Sequence, residues 1–213
     1  MTDPEEKTIN YYNQQAKKYY EQTINVDMSP LYEQFLNYLE PQSHILDAGC
    51  GSGRDSLYFL EHGYQVTAID AAKNLAQLAE DLIAQPVLKM KLQDLDYKSK
   101  FNGIWACASL LHLQSDKMQQ VLKKFAAALV TEGIIYISLQ YGEGEEFKNG
   151  RFFNYYTEKS WLKLMQEIEE LEVLKLWKTD DKREDRSGKR WLNVLLQKKE
   201  RKVGQKKHPM MVF

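Results

Sequence analysis

The sequence predicts an α/β fold: a seven-stranded, mostly parallel sheet with helices on both faces and an antiparallel hairpin at its C-terminal end. Three observations carry this. Five apolar runs alternate with helical segments between residues 44 and 141, the alternation that builds parallel sheets with crossover helices. A glycine-rich turn, GCGSG, follows the first of those runs at once. Two long β-patterned runs, LEVLKLWKTD and RWLNVLLQKK, flank a charged loop, DKREDRSGKR, and read as a hairpin.

Each element has its own signal. Residues 5–22 are polar and tyrosine-rich, and Tyr12, Ala16, Tyr19 and Tyr20 recur at helical steps. Asp27, Ser29 and Pro30 start a second helix, Leu31, Phe35, Leu36 and Leu39 give it an apolar stripe, and Pro41 ends it. HILDA is a short buried strand, and 54–62 a helix closed by Gly63. YQVTAID is the second strand and 72–84 the next helix, followed by a weaker strand, PVLKMKL. FNGIWACA is the fourth strand. SDKMQQVLKKFAAALV is a helix with Leu122, Phe125, Ala126 and Leu129 on one face and Gly133 as its stop, and IIYISLQY is the fifth strand. Residues 142–156 read as irregular, and Thr157 caps a helix running to Ile168. The chain shows no internal repeat and no interdomain linker. We expect one domain over 1–198, made of a helical lid (1–40), a ligand-binding core (43–140) and a variable part with the closing hairpin (141–198), before a basic, flexible tail (199–213).

Composition excludes several classes. The 29 basic and 30 acidic residues leave a net charge of −1, so no global field points to nucleic acid. Hydrophobic residues make up 43% and charged ones 28%, as in soluble globular domains. No apolar run approaches the ~20 residues of a membrane span. The opening MTDPEEKTIN lacks the basic and apolar regions of a secretory signal, so the expected location is cytoplasmic. Two cysteines make no disulfide framework, and the four histidines show no metal-ligand spacing; no metal is expected.

Ligands of an open α/β sheet sit at the carboxyl ends of its strands. There, the sequence from Asp47 to Gly53 reads D-x-G-x-G-x-G. A dinucleotide fingerprint needs a third glycine where this chain has Arg54. A strand-end acid would repel a pyrophosphate but suit the ammonium of an amino-acid headgroup. A tight turn without a ligand is the plain alternative. Asp70, at the tip of VTAID, stands where acids hydrogen-bond ribose hydroxyls; it can also cap the following helix.

The glycine motif resembles motif I of the class I S-adenosylmethionine (SAM)-dependent methyltransferases. With GYQVTAID behind it, it is most similar to small single-domain bacterial members acting on small molecules, with the tellurite-resistance type a distant relative. The resemblance spans about residues 43–198 and implies a Rossmann-like fold, SAM as cofactor and S-adenosylhomocysteine as product. It further implies that Asp94 of LQDLD binds the adenine amino group and that the small residues after the fourth strand pack beside the cofactor, with His112 at an aromatic-or-histidine position. Tyr11, Tyr19, Asp47, Gly49, Cys50, Gly51, Arg54, Asp70, Ala71, Gln93, Asp94, Leu95, Ala106, Cys107 and Ala108 are therefore the candidate cofactor residues. Arg54 would fork onto the methionyl carboxylate; its alternative is a pair with Asp55 or exposure to solvent. The cysteines have a plain reading as small residues that fit.

Methyl transfer is an in-line displacement that relies on positioning, and a base is needed only if the acceptor must lose a proton. His112 is the candidate base, or a polar residue capping the loop after the fourth strand; Tyr141 is the other candidate catalytic group. The loop after the fifth strand carries aromatic walls suited to a small substrate, with Tyr141, Arg151, Phe152 and Tyr155 as candidate contacts. The N-terminal tyrosines predict a lid over the cofactor. The expected function is methyl transfer to a small molecule by a monomer. The alternatives are a non-catalytic SAM- or nucleotide-binding regulator, and an RNA methyltransferase using the basic tail and the loop from Arg183 to Arg190. Against RNA, CASL stands after the fourth strand where an N-P-P-Y-type tetrapeptide would serve amino-group methylation.

Overall fold

The computed structural model describes residues 3–182 and 188–200. The tail beyond Glu200 and residues 183–187 of the charged loop lie outside them, and with these much of the surface expected to meet RNA. Asp3 caps the first helix, its carboxylate accepting from Glu5 N at 3.1 Å, with Pro4 at the first position of α1 (Pro4–Gln14). The expected single helix over 5–22 breaks at Gln15, and α2 (Ala16–Thr23) follows. Asp27 accepts from Ser29 N at 2.9 Å at the start of α3 (Ser29–Leu36), which ends before the proline that was expected to stop it.

The alternating core then runs β1 (His44–Ala48), α4 (Arg54–Glu61), β2 (Gln65–Asp70), α5 (Lys73–Ile83), β3 (Val87–Lys89), β4 (Phe101–Cys107), α6 (Ser115–Ala128) and β5 (Leu129–Gln140). The expected role of Gly133 as a helix stop is corrected. α6 ends at Ala128, and Gly133 lies within β5. A Cβ there would stand 2.9 Å from the Leu129 side chain and 3.1 Å from Asn102 O, so glycine lets β5 close on β4 where the register shifts between Phe101 and Gly103.

The segment 142–156 is also corrected. It is a hairpin of β6 (Gly144–Lys148) and β7 (Arg151–Tyr155), turned by Asn149 and Gly150, both at positive φ. Thr157 caps α7 (Glu158–Met165) in a reciprocal capping box with Ser160. β8 (Leu171–Asp180) and β9 (Arg190–Lys198) complete a seven-stranded sheet of order β3-β2-β1-β4-β5-β9-β8. β1 to β5 are parallel, and β9 runs antiparallel to both β5 and β8.

Two apolar cores hold helices to opposite faces. On one, Ile104, Ala106, Ile135 and Ile137 meet Met118, Leu122 and Phe125 of α6 and Trp161 of α7. On the other, Ile45, Trp105 and Tyr136 meet Tyr32 and Phe35 of α3 and Phe59 of α4. The order reverses between β1 and β4, so the crevice at their carboxyl ends is the natural ligand position. α1 and α2 lie across that end. Ala16 packs on Ala72 and Leu75 at the start of α5, and Phe152 N in β7 donates to Thr8 Oγ1 at 2.9 Å.

Candidate functional site at the carboxyl end of the sheet

The loop after β1 curls over onto β2. Gly49 N and Cys50 N both donate to Ile69 O at 2.9 Å, and Gly51 N donates to Asp70 Oδ2 at 2.9 Å. Gly49 holds φ +88, where a Cβ would sit 2.5 Å from Ser109 Cβ; at Gly51 (φ +55) it would press on the Tyr19 ring at 3.2 Å. Asp70 Oδ1 accepts from Ala72 N at 2.8 Å, tying β2 to the approach of α5. Burial pushes the Asp70 carboxyl up, and its two backbone donors pull it down.

These groups wall a first cavity. Gly49, Gly51, Asp70, Ala71 and Ala72 form its floor, Ala108, Ser109, His112 and Leu113 one side, and Met90, Lys91, Leu92 and Gln93 the other. Glu5, Thr8, Ile9 and Tyr12 of α1, with Tyr19 of α2, close it from above. Gln93 Nε2 donates to both carboxylate oxygens of Glu5, at 2.9 and 2.8 Å. Gln93 Oε1 and Ser109 Oγ are buried with no hydrogen-bond partner among the described residues. Such atoms cost about 1–3 kcal/mol each unless a ligand or water satisfies them. An adenosyl group with an amino acid attached fits this set: a carboxylate for a sugar diol, a buried acceptor for an exocyclic amine, and bare main chain beside both.

The N-terminal helices are fastened over the cavity. His112 Nδ1 lies 2.6 Å from Phe152 O, which can only accept, so this nitrogen carries the proton and Nε2 accepts from the Tyr12 hydroxyl at 2.8 Å. Burial lowers the His112 pKa to about 4. The ring is thus a neutral rivet joining α1, the turn after β4 and β7. Both nitrogens are engaged, which corrects its reading as a base open to substrate. Lys117 bonds Asp3 at 3.2 Å and Glu5 at 2.7 Å, Lys91 pairs with Glu6, and Asn74 donates to Asn13.

A second cavity abuts the first, with Tyr19 and Ala108 in both walls. Val26, Met28, Pro30 and Leu31 roof it; Arg54, Cys107, Ser138 and Asn193 lie deep in it; Thr179, Asp180, Asp181, Lys182 and Trp191 form its outer wall. Its depth rests on a closed network. Buried Asp55 accepts from Tyr32 Oη at 2.5 Å, Arg54 Nε at 2.6 Å and Trp105 Nε1 at 2.8 Å. Arg54 Nη1 donates to Thr23 O at 3.2 Å. Arg54 and these donors hold the Asp55 carboxyl below the usual range, against its burial. Burial beside the Asp55 charge pushes the neighbouring Asp47 carboxyl well above that range. Burial likewise pushes the Cys107 thiol up to about 12, so it is an inert neutral group.

Of the sequence-predicted cofactor residues, the structure brings Tyr19, Gly49, Gly51, Asp70, Ala71, Gln93 and Ala108 to the first cavity. Arg54 and Cys107 line the second instead. Asp47 lines neither: it is 1% exposed, accepts from Ser56 Oγ at 2.6 Å, and braces the loop from behind. Asp94 is exposed and lines neither cavity, whereas its neighbour Gln93 lines the first. Leu95, Ala106 and Cys50 are buried packing residues. Tyr11 lies under the Arg151 guanidinium, 4.6 Å from ring centre to carbon.

The expected substrate residues also part. Phe152 is buried and occupied by Thr8 and His112. Tyr141, Arg151 and Tyr155 line a third, outer groove that shares no residue with the first cavity. Ser109, among the small residues expected beside the cofactor, lines the first cavity, whereas sequence reasoning missed Glu5, Thr8, Leu75 and Met90, whose approach depends on contacts distant along the chain. Among the described residues no group of three or more His, Cys, Asp or Glu is placed to hold a metal, and no helix is long and apolar enough to cross a membrane.

Known proteins resemble this chain in sequence and in fold. The methyltransferase-domain family model matches residues 45–133, the stretch from β1 into β5. An uncharacterized methyltransferase of Staphylococcus carnosus is 21% identical over 158 residues, covering 70% of this chain and 76% of that protein. The ubiquinone biosynthesis O-methyltransferase of Coxiella burnetii is 32% identical over 113 residues, 48% of each chain, so this chain spans about half of that relative. In fold, the chain is similar to the Burkholderia thailandensis 1,6-didemethyltoxoflavin-N1-methyltransferase, with a TM-score of 0.77 at 22% identity over 94% of this chain and 92% of that one. The motif, the strand order and the domain match all centre on one crevice, and over residues 45–133 the chain carries a methyltransferase domain of the kind found in SAM-dependent methyltransferases.

Proposed function

We propose that the protein transfers a methyl group from SAM, held in the first cavity, to a small molecule held in the second. The observation that carries this is the shared wall at Tyr19 and Ala108. An in-line displacement needs donor and acceptor within near-contact distance, and the second cavity abuts the first while the outer groove does not. In this reading the Asp70 carboxylate takes the ribose hydroxyls. Gln93 Oε1 accepts the adenine amino group, and the Gly49–Gly51 main chain faces the methionyl end. Arg54, with Nε and Nη1 anchored, has Nη2 left to take the methionyl carboxylate where the two cavities meet. When bound, SAM supplies the electrophilic methyl; the chain's residues position the partners and exclude water. Asp180 and Asp181 bring carboxylates to the wall of the second cavity.

The fold relative that acts on 1,6-didemethyltoxoflavin supports a small-molecule acceptor. The test is isotope transfer: purified protein, SAM labelled at the methyl, and a size-fractionated cell extract. Label moving into the low-mass fraction with matching S-adenosylhomocysteine is the expected result. Label in RNA, or S-adenosylhomocysteine binding without turnover in any fraction, overturns it in favour of RNA modification or a regulatory role.

A further inference from the structure

The outer groove has chemistry that the two-cavity reading does not use. It lies between the β6–β7 hairpin and the start of β9, walled by Tyr141, Phe153 and Tyr155 and by the cations Lys148, Arg151, Lys189 and Arg190. Among the described residues no carboxylate lines it. Phe153 and Tyr155 are stacked 6.1 Å apart at an interplanar angle of 18°. Arg190 lies 4.9 Å over the Tyr141 ring, and Arg151 lies 5.1 Å over Phe153 and 4.6 Å over Tyr11.

The two arginines are unusual in what they lack. Neither has a carboxylate within salt-bridge reach among the described residues. Arg151 Nε is buried without a hydrogen-bond partner, and Arg151 Nη1 reaches only Tyr12 Oη at 3.5 Å. Two nearby acids are engaged at the margin: Glu146 accepts from Tyr155 Oη at 3.0 Å and pairs with Lys148 at 3.4 Å, and Glu158 pairs with Lys178 at 2.9 Å. Asp180 stands opposite Arg190 across β8 and β9 but forms no salt bridge with it. Stacking on rings fixes a guanidinium's plane while leaving its N–H edge free for a planar acceptor. Arg151 and Arg190 share the groove with no ion-pair partner among the described residues, and a bound anion offsets the repulsion between them.

We propose that this groove binds a small aromatic anion, its ring against Tyr141, Phe153 and Tyr155 and its carboxylate or phosphate on Arg151 and Arg190. The site is separate from the donor and acceptor cavities and does not depend on methyl transfer. The probes are 2-naphthoate, its neutral analogue 2-naphthamide, and cyclohexanecarboxylate, titrated into the full-length protein by ligand-observed NMR with and without S-adenosylhomocysteine. 2-Naphthoate should bind about fivefold or more tightly than either comparator, since each lacks the charge or the ring. Arg190→Gln, at an exposed side chain, should weaken 2-naphthoate by about fivefold; Arg151→Gln should do the same if its melting temperature matches wild type. No binding at about 5 mM, equal binding of the amide, an unaltered affinity in Arg190→Gln, or an RNA oligomer that displaces the probe each overturns the proposal. Failure of S-adenosylhomocysteine to bind the same samples counts against the methyltransferase reading alone.

Discussion

The two cavities that meet at Tyr19 and Ala108 are finished to different degrees. The first is lined by strand-end loops and ends in polar atoms that the protein itself leaves unpaired, Gln93 Oε1 and Ser109 Oγ. The second is backed by a completed network, with Asp55 serving Arg54, Tyr32 and Trp105 together. Unpaired atoms make a site whose affinity turns on a few contacts. A completed buried network makes a site whose shape is inseparable from the stability of the fold. Substitutions in the first should therefore show in binding, and those behind the second in folding.

The severest test of that contrast is Asp55→Asn. It leaves the mostly buried Arg54 guanidinium without its counter-ion and two donors facing a weaker acceptor. We expect a loss of about 3–5 kcal/mol, read from urea unfolding. A loss near zero would mean that the second cavity does not depend on the network behind it.

The rivet that holds the lid gives the next effect, through pH. His112 titrates at about 4 in the fold, against an unfolded value of about 6.5. The unfolded chain takes up its proton first, so His112 contributes stability that is full above about pH 6.5 and falls as pH drops toward 4. The limit is about 3 kcal/mol. Asp47 works in the opposite direction, because its raised carboxyl favours the fold in acid. The difference between wild type and His112→Gln, followed in urea from pH 7.5 to 5, isolates the histidine. Parallel curves for the two proteins would show that His112 is not held neutral.

How far the sequence showed this arrangement follows the same division. The strand order and the Gly49–Gly51–Asp70 wall are set by residues adjacent along the chain, and they could be read. Gln93 and Asp94 were separable only in three dimensions. On a tight 3-10 turn, neighbouring side chains point about a third of a turn apart, which sends one to the cavity and the other to solvent. Arg54 was ambiguous because its partners Asp55 and Thr23 lie next to it and on a distant helix respectively. Asp47 was misplaced because sequence shows an acid at a strand end but not which way it faces. The β6–β7 hairpin was legible and passed over, since Asn149-Gly150 between β-rich runs is a strong turn signal. Gly133 looked like a helix stop because a close approach between strands leaves no local mark.

Asp70→Asn sharpens the binding side. The amide keeps the shape but loses the charge that strengthens bonds to a sugar diol, and one of its ends can no longer accept from Gly51 N or Ala72 N. Affinity for S-adenosylhomocysteine should fall by about 10- to 100-fold by calorimetry, with a smaller loss of stability than in Asp55→Asn. If stability falls more than binding does, the contrast between the two cavities is wrong.

The smallest effect is the most selective. If Gln93 Oε1 accepts the adenine amino group, replacing that amine with an oxo group should be felt at this atom. Wild type should bind S-inosylhomocysteine about tenfold more weakly than S-adenosylhomocysteine, the cost of facing one buried acceptor with another. In Gln93→Leu, affinity for S-adenosylhomocysteine should drop by about fivefold and most of the discrimination between the two should vanish. The substitution also frees Glu5, which then keeps only its bond to Lys117, so a general loosening of α1 would weaken both ligands alike. A wild-type protein that binds the two equally would remove Gln93 from base recognition. Weakening of both ligands by one factor in the variant would reassign Gln93 to holding the lid.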